Sequence, residues 1–443
     1  MKLDAKQFYG VFVCASLVFC LLSWVLYKQV SGPEPHCDVD SKAYLERGLW
    51  FARTNKFISA QKPDQPYYAL GYAAIIGVLY KLCGVSTNVI IVFQLLLALF
   101  SCFLMMRIAY RIGGNSAAWL AALFFCLSLG YYTFVQFVLT ELVLSFLLLI
   151  FFERFLAFVT QQYNLRALCA AAFALGCSII IKPAALFFIA IMLCFLACLV
   201  TIPWHVRLKQ CLLCVFFFYV PVVSYMTYNY VTFGNFAVST LDRVNVYYWF
   251  FPNVLAYENG TTSDIERNKL LALSHGKHDC AVVGKMFWHA AVRKPWLFAY
   301  VWMLNVVKTY AGLYTTNLKV LVQPLVHGGS ISFFKMAGTM PQRVWAYITA
   351  GATKPWVIAV GVFEALFALV RYVLCLCGLW AVWRRRKYAI FVLFVCTILY
   401  FSLITGHDGC ARFRMMFEYA LIVLAAVGFA VCFDQQFTSR KVM

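Results

Sequence analysis

Long apolar runs recur along the whole chain and leave few architectures open to it. Residues 8–27, 88–108 and 140–158 are three of these runs. A helix of about 20 apolar residues crosses the roughly 30 Å of hydrocarbon in a bilayer. The runs therefore predict an all-α fold, a polytopic transmembrane helical bundle with interfacial helices on its outer face.

The composition supports this prediction. It also indicates that the positive net charge belongs to a membrane protein and does not mark a nucleic-acid-binding one. Hydrophobic residues make up 64% of the 443 residues and charged residues 12%, whereas soluble domains are about half apolar and about a quarter charged. The net charge is +20, but the basic residues lie mainly in short loops between apolar runs, as they do in cytoplasmic loops. The charge therefore indicates an integral, multi-pass membrane protein and not a nucleic-acid-binding one, and the composition suits a bacterial inner membrane.

The basic residues also orient the spans. Lys2 and Lys6 place the N-terminus in the cytoplasm, and the basic run at 384–387 is the strongest cytoplasmic signal. The apolar segment 67–83 is short, and counting it as a span would put Arg107 outside, so it is expected to be an interfacial or re-entrant helix. About ten spans with both ends inside follow, at residues 8–27, 88–108, 116–134, 140–158, 167–182, 184–202, 210–231, 356–382, 388–405 and 415–433.

The same pattern divides the chain into three regions. Residues 1–231 are expected to form a membrane module whose first outer loop, residues 28–87, carries the candidate catalytic groups. Residues 232–354 are polar and aromatic and are expected to form an extracytoplasmic region of loops and interfacial helices. Residues 355–443 contain the last spans.

The first outer loop carries two acids close together, Asp38 and Asp40. A carboxylate held near an apolar wall is a better proton acceptor at neutral pH, so Asp40 is a candidate general base. A solvated loop aspartate is the more common case for an isolated residue. Asp38 is a candidate ligand, with Asp40, for a divalent cation. More often an acid in this position simply lies at the N-terminus of a helix, here one that continues to Trp50.

Further polar groups collect on the same side in this topology. Glu141 opens the span 140–158, where capping of the helix N-terminus and a functional role are both open. Lys182 ends another span, where a snorkelling lysine is the usual case. Arg412 and Arg414 precede the last span, and two guanidinium groups suit a phosphate, although anchoring at the interface explains them nearly as well.

Other chemistries find little support in the sequence. The histidines form no i, i+4 zinc pair, and the His275-x-x-His278 segment has no acid at a matching spacing. No P-loop, GxGxxG or GxSxG segment occurs in the context that its chemistry requires. A dedicated zinc site is therefore not expected.

Five segments occur in an order that is typical of one class of membrane enzyme. They are Asp40-Ser41-x-x-Tyr44 after the first span, Lys62-Pro63 followed by Leu70-Gly71-Tyr72 and Leu79-Tyr80-Lys81-Leu82-Cys83-Gly84, Thr140-Glu141 at the fourth span, residues 229–236 with Ser239-Thr240, and Arg412-Phe413-Arg414 before the last span. Together they resemble the GT-C class of membrane glycosyltransferases, in particular the branch that contains protein O-mannosyltransferases and the lipid A aminoarabinose transferase. The resemblance covers residues 8–250 and the final span.

This resemblance implies an inverting transfer of one sugar from a polyprenyl-phosphate donor to a lipid, glycan or protein acceptor on the extracytoplasmic face. Asp40 would deprotonate the acceptor hydroxyl, and Glu141 would be a second catalytic carboxylate. Arginine and lysine side chains would stabilise the departing lipid phosphate. The residues expected to bind substrate or phosphate are Tyr44, Lys62, Lys182, Arg412 and Arg414. A divalent cation at Asp40 or Glu141 is left open, because some members of the class do without one.

Two other functions remain open at this point. A transporter or flippase of lipid-linked sugars would carry ionisable residues at mid-membrane, inverted repeats and broken helices, whereas most acids here lie at the outer ends of spans. A non-catalytic membrane subunit would bind a partner through residues 232–354. Its function would be unchanged by Asp40→Asn.

Overall fold

A computed structural model describes residues 5–31, 36–57, 69–161, 163–198, 203–274, 280–322, 342 and 354–433. The described residues are mostly helical, and no strand occurs among them. The predicted all-α architecture is confirmed. The segment 62–64 and the two histidines at 275 and 278 lie outside the described residues.

The first ten helices follow the apolar runs, except for α2, which lies in the polar first outer loop. They are α1 (Ala5–Gln29), α2 (Val39–Thr54), α3 (Gly71–Cys83), α4 (Thr87–Gly113), α5 (Asn115–Leu127), α6 (Leu129–Gln136), α7 (Glu141–Thr160), α8 (Leu165–Ile181), α9 (Phe188–Ala197) and α10 (Trp204–Phe233). A short 3-10 turn, Pro183–Ala185, precedes α9. Helix α10 ends at Gly234, whose φ of 71° is the left-handed conformation that favours glycine at a helix C-terminus.

Most of the described residues between 241 and 322 are also helical. It contains α11 (Leu241–Val244), a π-helical turn (Asn245–Phe250), α12 (Phe251–Asn259), α13 (Ser263–Leu273), α14 (Cys280–Arg293), α15 (Pro295–Ala311) and α16 (Thr315–Val322). The C-terminal helices are α17 (Pro355–Arg384), α18 (Tyr388–Ile404), the single turn α19 (Ala411–Arg414) and α20 (Glu418–Phe433).

Several helices can cross a membrane. Among the described residues, five are long and apolar enough, namely α1, α4, α7, α10 and α17, and the α5–α6 pair makes a sixth. Four shorter apolar segments, those of α8, α9, α18 and α20, would raise the number to the expected ten, and that number stays a prediction. The protein is an integral membrane protein in either case.

Helices α5 and α6 meet at an angle of 52°. Ser128, between them, has an extended backbone and interrupts the helical hydrogen bonds. Its hydroxyl accepts a hydrogen bond from Arg371 Nη1 at 3.2 Å, so the break is held by a side chain of α17. Helix α6 therefore follows a new direction towards the first loop.

One end of the bundle is basic. Glu153, near the end of α7, pairs with Arg111 at 3.0 Å, Arg107 at 3.2 Å and Arg154 at 3.1 Å. Arg385, just after α17, donates to the carbonyl at the end of α4 at 3.3 Å. The loops that the charge pattern assigns to the cytoplasm therefore meet at one end of the bundle. Glu141 is the first residue of α7 and lies at the opposite end of that helix.

A continuous apolar core joins the first helices to α17 and α20. Helices α17 and α20 approach so closely that a Cβ atom on Gly428 would lie 2.0 Å from the Leu374 carbonyl oxygen, and one on Gly378 would lie 2.1 Å from that of Leu424. Small residues permit such contact between membrane helices. A second, smaller core lies within the 241–302 segment, around Tyr248, Phe251 and Phe287 among others.

Gly428→Val is expected to destabilise the bundle, because the added side chain must push α17 and α20 apart. Overpacking of this kind costs about 1–3 kcal/mol, which would be measured as a lower midpoint of denaturant unfolding in detergent. Gly10→Val is the matched control, since nothing lies within 4 Å of a Cβ atom at that position. Equal losses in both variants would contradict the close packing of α17 and α20.

Candidate functional site

The first loop is fastened to the end of α6 by His36. Its Nδ1 atom lies 2.9 Å from the Gln136 carbonyl oxygen, and its own carbonyl accepts from the Val138 amide at 3.0 Å. Burial lowers the pKa of His36, although the hydrogen bond to Gln136 opposes this. These contacts bring the loop next to the start of α7, because Gln136 and Val138 directly precede Glu141.

The two loop acids lie at the N-terminus of α2. The Asp38 amide donates to Ser41 Oγ at 2.8 Å, and the Ser41 amide donates to the Asp38 carbonyl at 3.0 Å. A side chain that reaches back to the N-cap amide in this way is half of a capping box, which fixes the first turn of a helix. The helix start therefore holds the carboxylates of Asp38 and Asp40 in one place.

Arg412 joins three carboxylates from two distant parts of the chain. Its Nε donates to Glu141 Oε1 at 2.5 Å, its Nη2 lies 2.9 Å from Asp40 Oδ2, and its Nη1 lies 3.7 Å from Asp38 Oδ2. Burial alone would lower the pKa of Arg412, but Glu141 and Asp40 raise it well above its ordinary value. The guanidinium therefore stays charged at any pH at which the protein is folded.

Glu141 is completely buried, with 0% of its side chain exposed. One oxygen, Oε1, accepts both from Arg412 and from Lys182 Nζ, the latter at 3.0 Å. The other oxygen, Oε2, has no hydrogen-bond partner among the described residues. A buried carboxylate oxygen without a donor is costly, so Oε2 is a candidate for contact with a ligand.

Phe413 contacts both Lys182 and His407. The lysine Nζ lies 4.8 Å from the centre of the Phe413 ring, and the His407 ring lies 5.2 Å from it. Burial lowers the pKa of His407, while the nearby Asp408 opposes the shift. The predicted residues Asp38, Asp40, Glu141, Lys182 and Arg412 therefore form one group, which we call the Arg412 cluster.

Three other predicted residues, Tyr44, Lys62 and Arg414, are not among the five residues of this cluster. The ring of Tyr44 is buried against Tyr72, with the ring centres 5.3 Å apart. Tyr72 donates to Gln94 Oε1 at 2.7 Å, and Gln94 in turn donates to the Phe137 carbonyl at 2.8 Å. Tyr44 thus packs against α3, and Tyr72 connects α3 to α4. Lys62 lies outside the described residues, and its role stays a prediction.

Arg414 lies in a separate network of buried charges. Its Nε donates to Glu418 Oε2 at 3.1 Å, and its Nη1 donates to the Gly312 carbonyl at 2.8 Å. Arg371 also pairs with Glu418, and Glu364 accepts from the Tyr314 amide at 2.7 Å and lies 3.6 Å from Arg414 Nη2. Only 1% of the Arg414 side chain is exposed. This placement lends no support to the phosphate role that the sequence suggested for Arg414.

The comparisons with known proteins concern the fold. No protein-family model and no curated protein sequence matches the chain. The crystal structure of the apo oligosaccharyltransferase of Archaeoglobus fulgidus matches 99% of this chain and 52% of its own, with a TM-score of 0.55 and 11% identity. That enzyme is a GT-C glycosyltransferase. The chain has a GT-C fold.

Two further structures are similar. The oligosaccharyltransferase AglB from Archaeoglobus fulgidus, in complex with an inhibitory peptide and a dolichol-phosphate, matches with a TM-score of 0.54 and 13% identity, over 98% of this chain and 51% of that one. ArnT from Cupriavidus metallidurans bound to undecaprenyl phosphate matches with a TM-score of 0.44 and 14% identity, over 97% of this chain and 78% of that one. The chain spans about half the length of the archaeal structures that it matches.

Two charged residues of this GT-C fold were not predicted to be of interest. Glu364 and Arg371 lie inside the apolar run 356–382, and both are buried. The sequence did contain a signal for them, namely two ionisable residues inside an apolar run. An ionisable residue within a span needs a partner and often marks a functional site. Their partners, Thr315 and Glu418, lie in other segments, so the sequence alone does not indicate which pairs form.

The arrangement of the acids determines whether they could bind a metal ion. Oxygen ligands from carboxylates suit hard divalent cations. In this structure Asp38, Asp40 and Glu141 all converge on the guanidinium of Arg412, and no group of three metal-binding side chains occurs among the described residues. As arranged, these residues do not fit a metal ion, and no chemical step is assigned to one. The cation suggested for Asp38 and Asp40 stays a prediction.

Arg371→Met is expected to destabilise the protein strongly, because it removes a partner of the fully buried Glu418. Removing one member of a buried ion pair costs about 3–5 kcal/mol. Arg371→Met combined with Glu418→Met should regain part of this loss. Unfolding in detergent would measure both variants.

The control for this experiment is Arg154→Met. Arg154 also pairs with a buried glutamate, but 45% of its side chain is exposed, and Glu153 keeps two other arginines. A loss below about 1 kcal/mol is expected for it. If the double variant is no more stable than Arg371→Met, the charges of Arg371 and Glu418 do not compensate each other.

Proposed function

We propose that the chain is a membrane glycosyltransferase that moves a sugar from a polyprenyl-phosphate-linked donor to an acceptor on the extracytoplasmic face. The observation that carries the proposal is the Arg412 cluster, in which a cation able to bind phosphate lies 2.9 Å from a candidate base, Asp40. The GT-C fold supports it, since AglB has that fold and its structure includes a dolichol-phosphate.

The location of the cluster supports the proposed face. The cluster forms where α7 begins, whereas Glu153 and its three arginines lie near the end of α7. Basic ends of membrane bundles face the cytoplasm, so the cluster would face away from it. A bacterial inner membrane is the setting that we propose, with residues 1–231 and 355–443 in the bilayer and 232–354 outside.

Asp40 is proposed as the general base of a single displacement. Its carboxylate takes the proton of the acceptor hydroxyl, and the acceptor oxygen forms a bond to the anomeric carbon of the sugar. The bond between that carbon and the phosphate oxygen breaks, and its electron pair leaves with the lipid phosphate. Because attack and departure occur on opposite faces of the carbon, the configuration inverts.

Arg412 and Lys182 are proposed to stabilise the departing phosphate. Fixed cations aimed at developing negative charge are an effective means of lowering a barrier. The burial of Glu141 beneath both cations, at 2.5 and 3.0 Å, keeps their positions defined without using all of their N–H groups. Glu141 is therefore proposed as an orienting carboxylate, and its second oxygen can accept from a donor or acceptor hydroxyl.

Asp40→Asn is expected to abolish sugar transfer, because an amide cannot accept the acceptor proton. Loss of a general base lowers turnover by about 10²–10⁴-fold. Purified protein in liposomes would be given a panel of polyprenyl-phosphate sugars and candidate acceptors, and release of polyprenyl phosphate would be followed by mass spectrometry. Wild type should turn over one donor that the variant does not.

Asp264→Asn is the matched control, since Asp264 is a half-exposed aspartate on α13 that pairs with Arg267 at 3.0 Å, away from the cluster. It should retain wild-type turnover. Turnover that survives in Asp40→Asn would identify another base, with Glu141 next to test. No release with any donor, together with movement of a labelled lipid across the bilayer, would replace the proposal with a transporter. No release and no movement would favour a non-catalytic subunit.

A further inference from the structure

Arg412 makes two kinds of contact. Its Nε contact reaches Glu141, which is completely buried, at 2.5 Å. Its two Nη atoms reach Asp40 at 2.9 Å and Asp38 at 3.7 Å, and these carboxylates are 28% and 30% exposed. The contact with Glu141 is therefore shielded from solvent. The side of the guanidinium that carries the two Nη atoms, which we call its outer edge, can be approached by a ligand from outside.

The outer edge cannot serve two anions at once. A guanidinium offers its paired Nη–H groups as a planar fork, which matches a carboxylate or a phosphate. In the structure the aspartates occupy that fork. Three carboxylates and two cations also give the cluster a net charge of −1 if all are ionised, so a phosphate must compete with the aspartates to bind.

The contacts of Arg412 with the two aspartates are easier to exchange than its contact with Glu141. Ion pairs between partly exposed side chains contribute little to stability and are screened by salt. A bidentate hydrogen bond to phosphate is stronger than a single contact. The Nε contact to Glu141 is buried and short, so it can hold the guanidinium in place while the outer partners change.

We propose that Arg412 exchanges Asp38 and Asp40 for the phosphate of the lipid donor, so that donor binding releases Asp40 from its ion pair. This inference rests on the proposed function and deepens it. A carboxylate paired with a cation is a poorer proton acceptor than the same carboxylate without it. The base therefore becomes competent only when the donor is in place, and the donor binds before the acceptor reacts.

The start of α2 makes the exchange feasible for Asp40. The residue lies in the first helical turn, where unpaired backbone amides favour a negative charge. The carboxylate thus keeps electrostatic support after Arg412 has paired with the phosphate. The exchange leaves the cation paired with the leaving group, where the transfer reaction needs it.

The test is the affinity of the purified protein for a polyprenyl monophosphate that carries no sugar, titrated in a non-ionic detergent. Asp40→Asn should bind this lipid about fivefold more tightly than wild type, because it removes a competitor for the guanidinium. Arg412→Gln should bind it at least about tenfold more weakly. In the Arg412→Gln background, Asp40→Asn should change the affinity little.

Arg412→Lys provides a second background in case Arg412→Gln does not fold. It keeps the charge beside Glu141 but lacks the planar fork, so the gain from Asp40→Asn should again be smaller than in wild type. Thermal unfolding would verify that each variant is folded. Asp264→Asn is the control for a general effect of net charge and should leave the affinity unchanged.

The outcomes separate the two proposals. If wild type binds the lipid and Asp40→Asn binds it no more tightly, or if the gain is the same in all backgrounds, the exchange at Arg412 is wrong while the proposed function stands. If no variant and no wild-type protein binds the lipid phosphate, the proposed function itself is overturned, and the exchange with it.

Discussion

The ion pairs of Arg412 determine how four separate parts of the chain meet. Its guanidinium holds the start of α2, the start of α7 and, through Glu141, the end of α8. Charges in a medium of low dielectric are tolerated only when they are paired. The first loop, two spans and the turn before the last span are therefore held in one arrangement, because a different one would take a cation away from buried Glu141.

The single turn α19 carries two arginines with opposite roles. Arg412 is 16% exposed and faces acids that solvent can reach, whereas Arg414 is 1% exposed and is surrounded by carbonyls and two buried glutamates. Arg414 anchors the turn to α15, α17 and α20. Because Arg414 fixes the turn, Arg412 is held at a defined place. It can still exchange Asp38 and Asp40 for another anion.

The charge distribution along the bundle is consistent with this arrangement. At the basic end, Glu153 neutralises part of the charge of three arginines. At the other end, acids outnumber the cations in the Arg412 cluster. The buried network of Arg371, Glu364, Arg414 and Glu418 balances two positive groups with two negative ones.

The sequence by itself determined where the helices lie. The run 8–27 became Ala5–Gln29, 356–382 became Pro355–Arg384, and the short segment ending at Cys83 became a helix of 13 residues. Length, apolar content and flanking charge are local properties, so they can be read without knowing the partners. The same reasoning drew attention to Asp40, Glu141, Lys182 and Arg412, because charge is rare in such a chain.

Only the tertiary structure decided which of these groups meet. Glu141 and Arg412 are 271 residues apart in the chain, and nothing in either segment specifies the other. Arg412 and Arg414 look equivalent in sequence, yet α19 directs them into different surroundings. Partners of this kind depend on how whole helices pack, such as the close contact of α17 with α20 at Gly378 and Gly428. Packing is a property of surfaces from distant segments, and the sequence pattern of a single helix does not contain it.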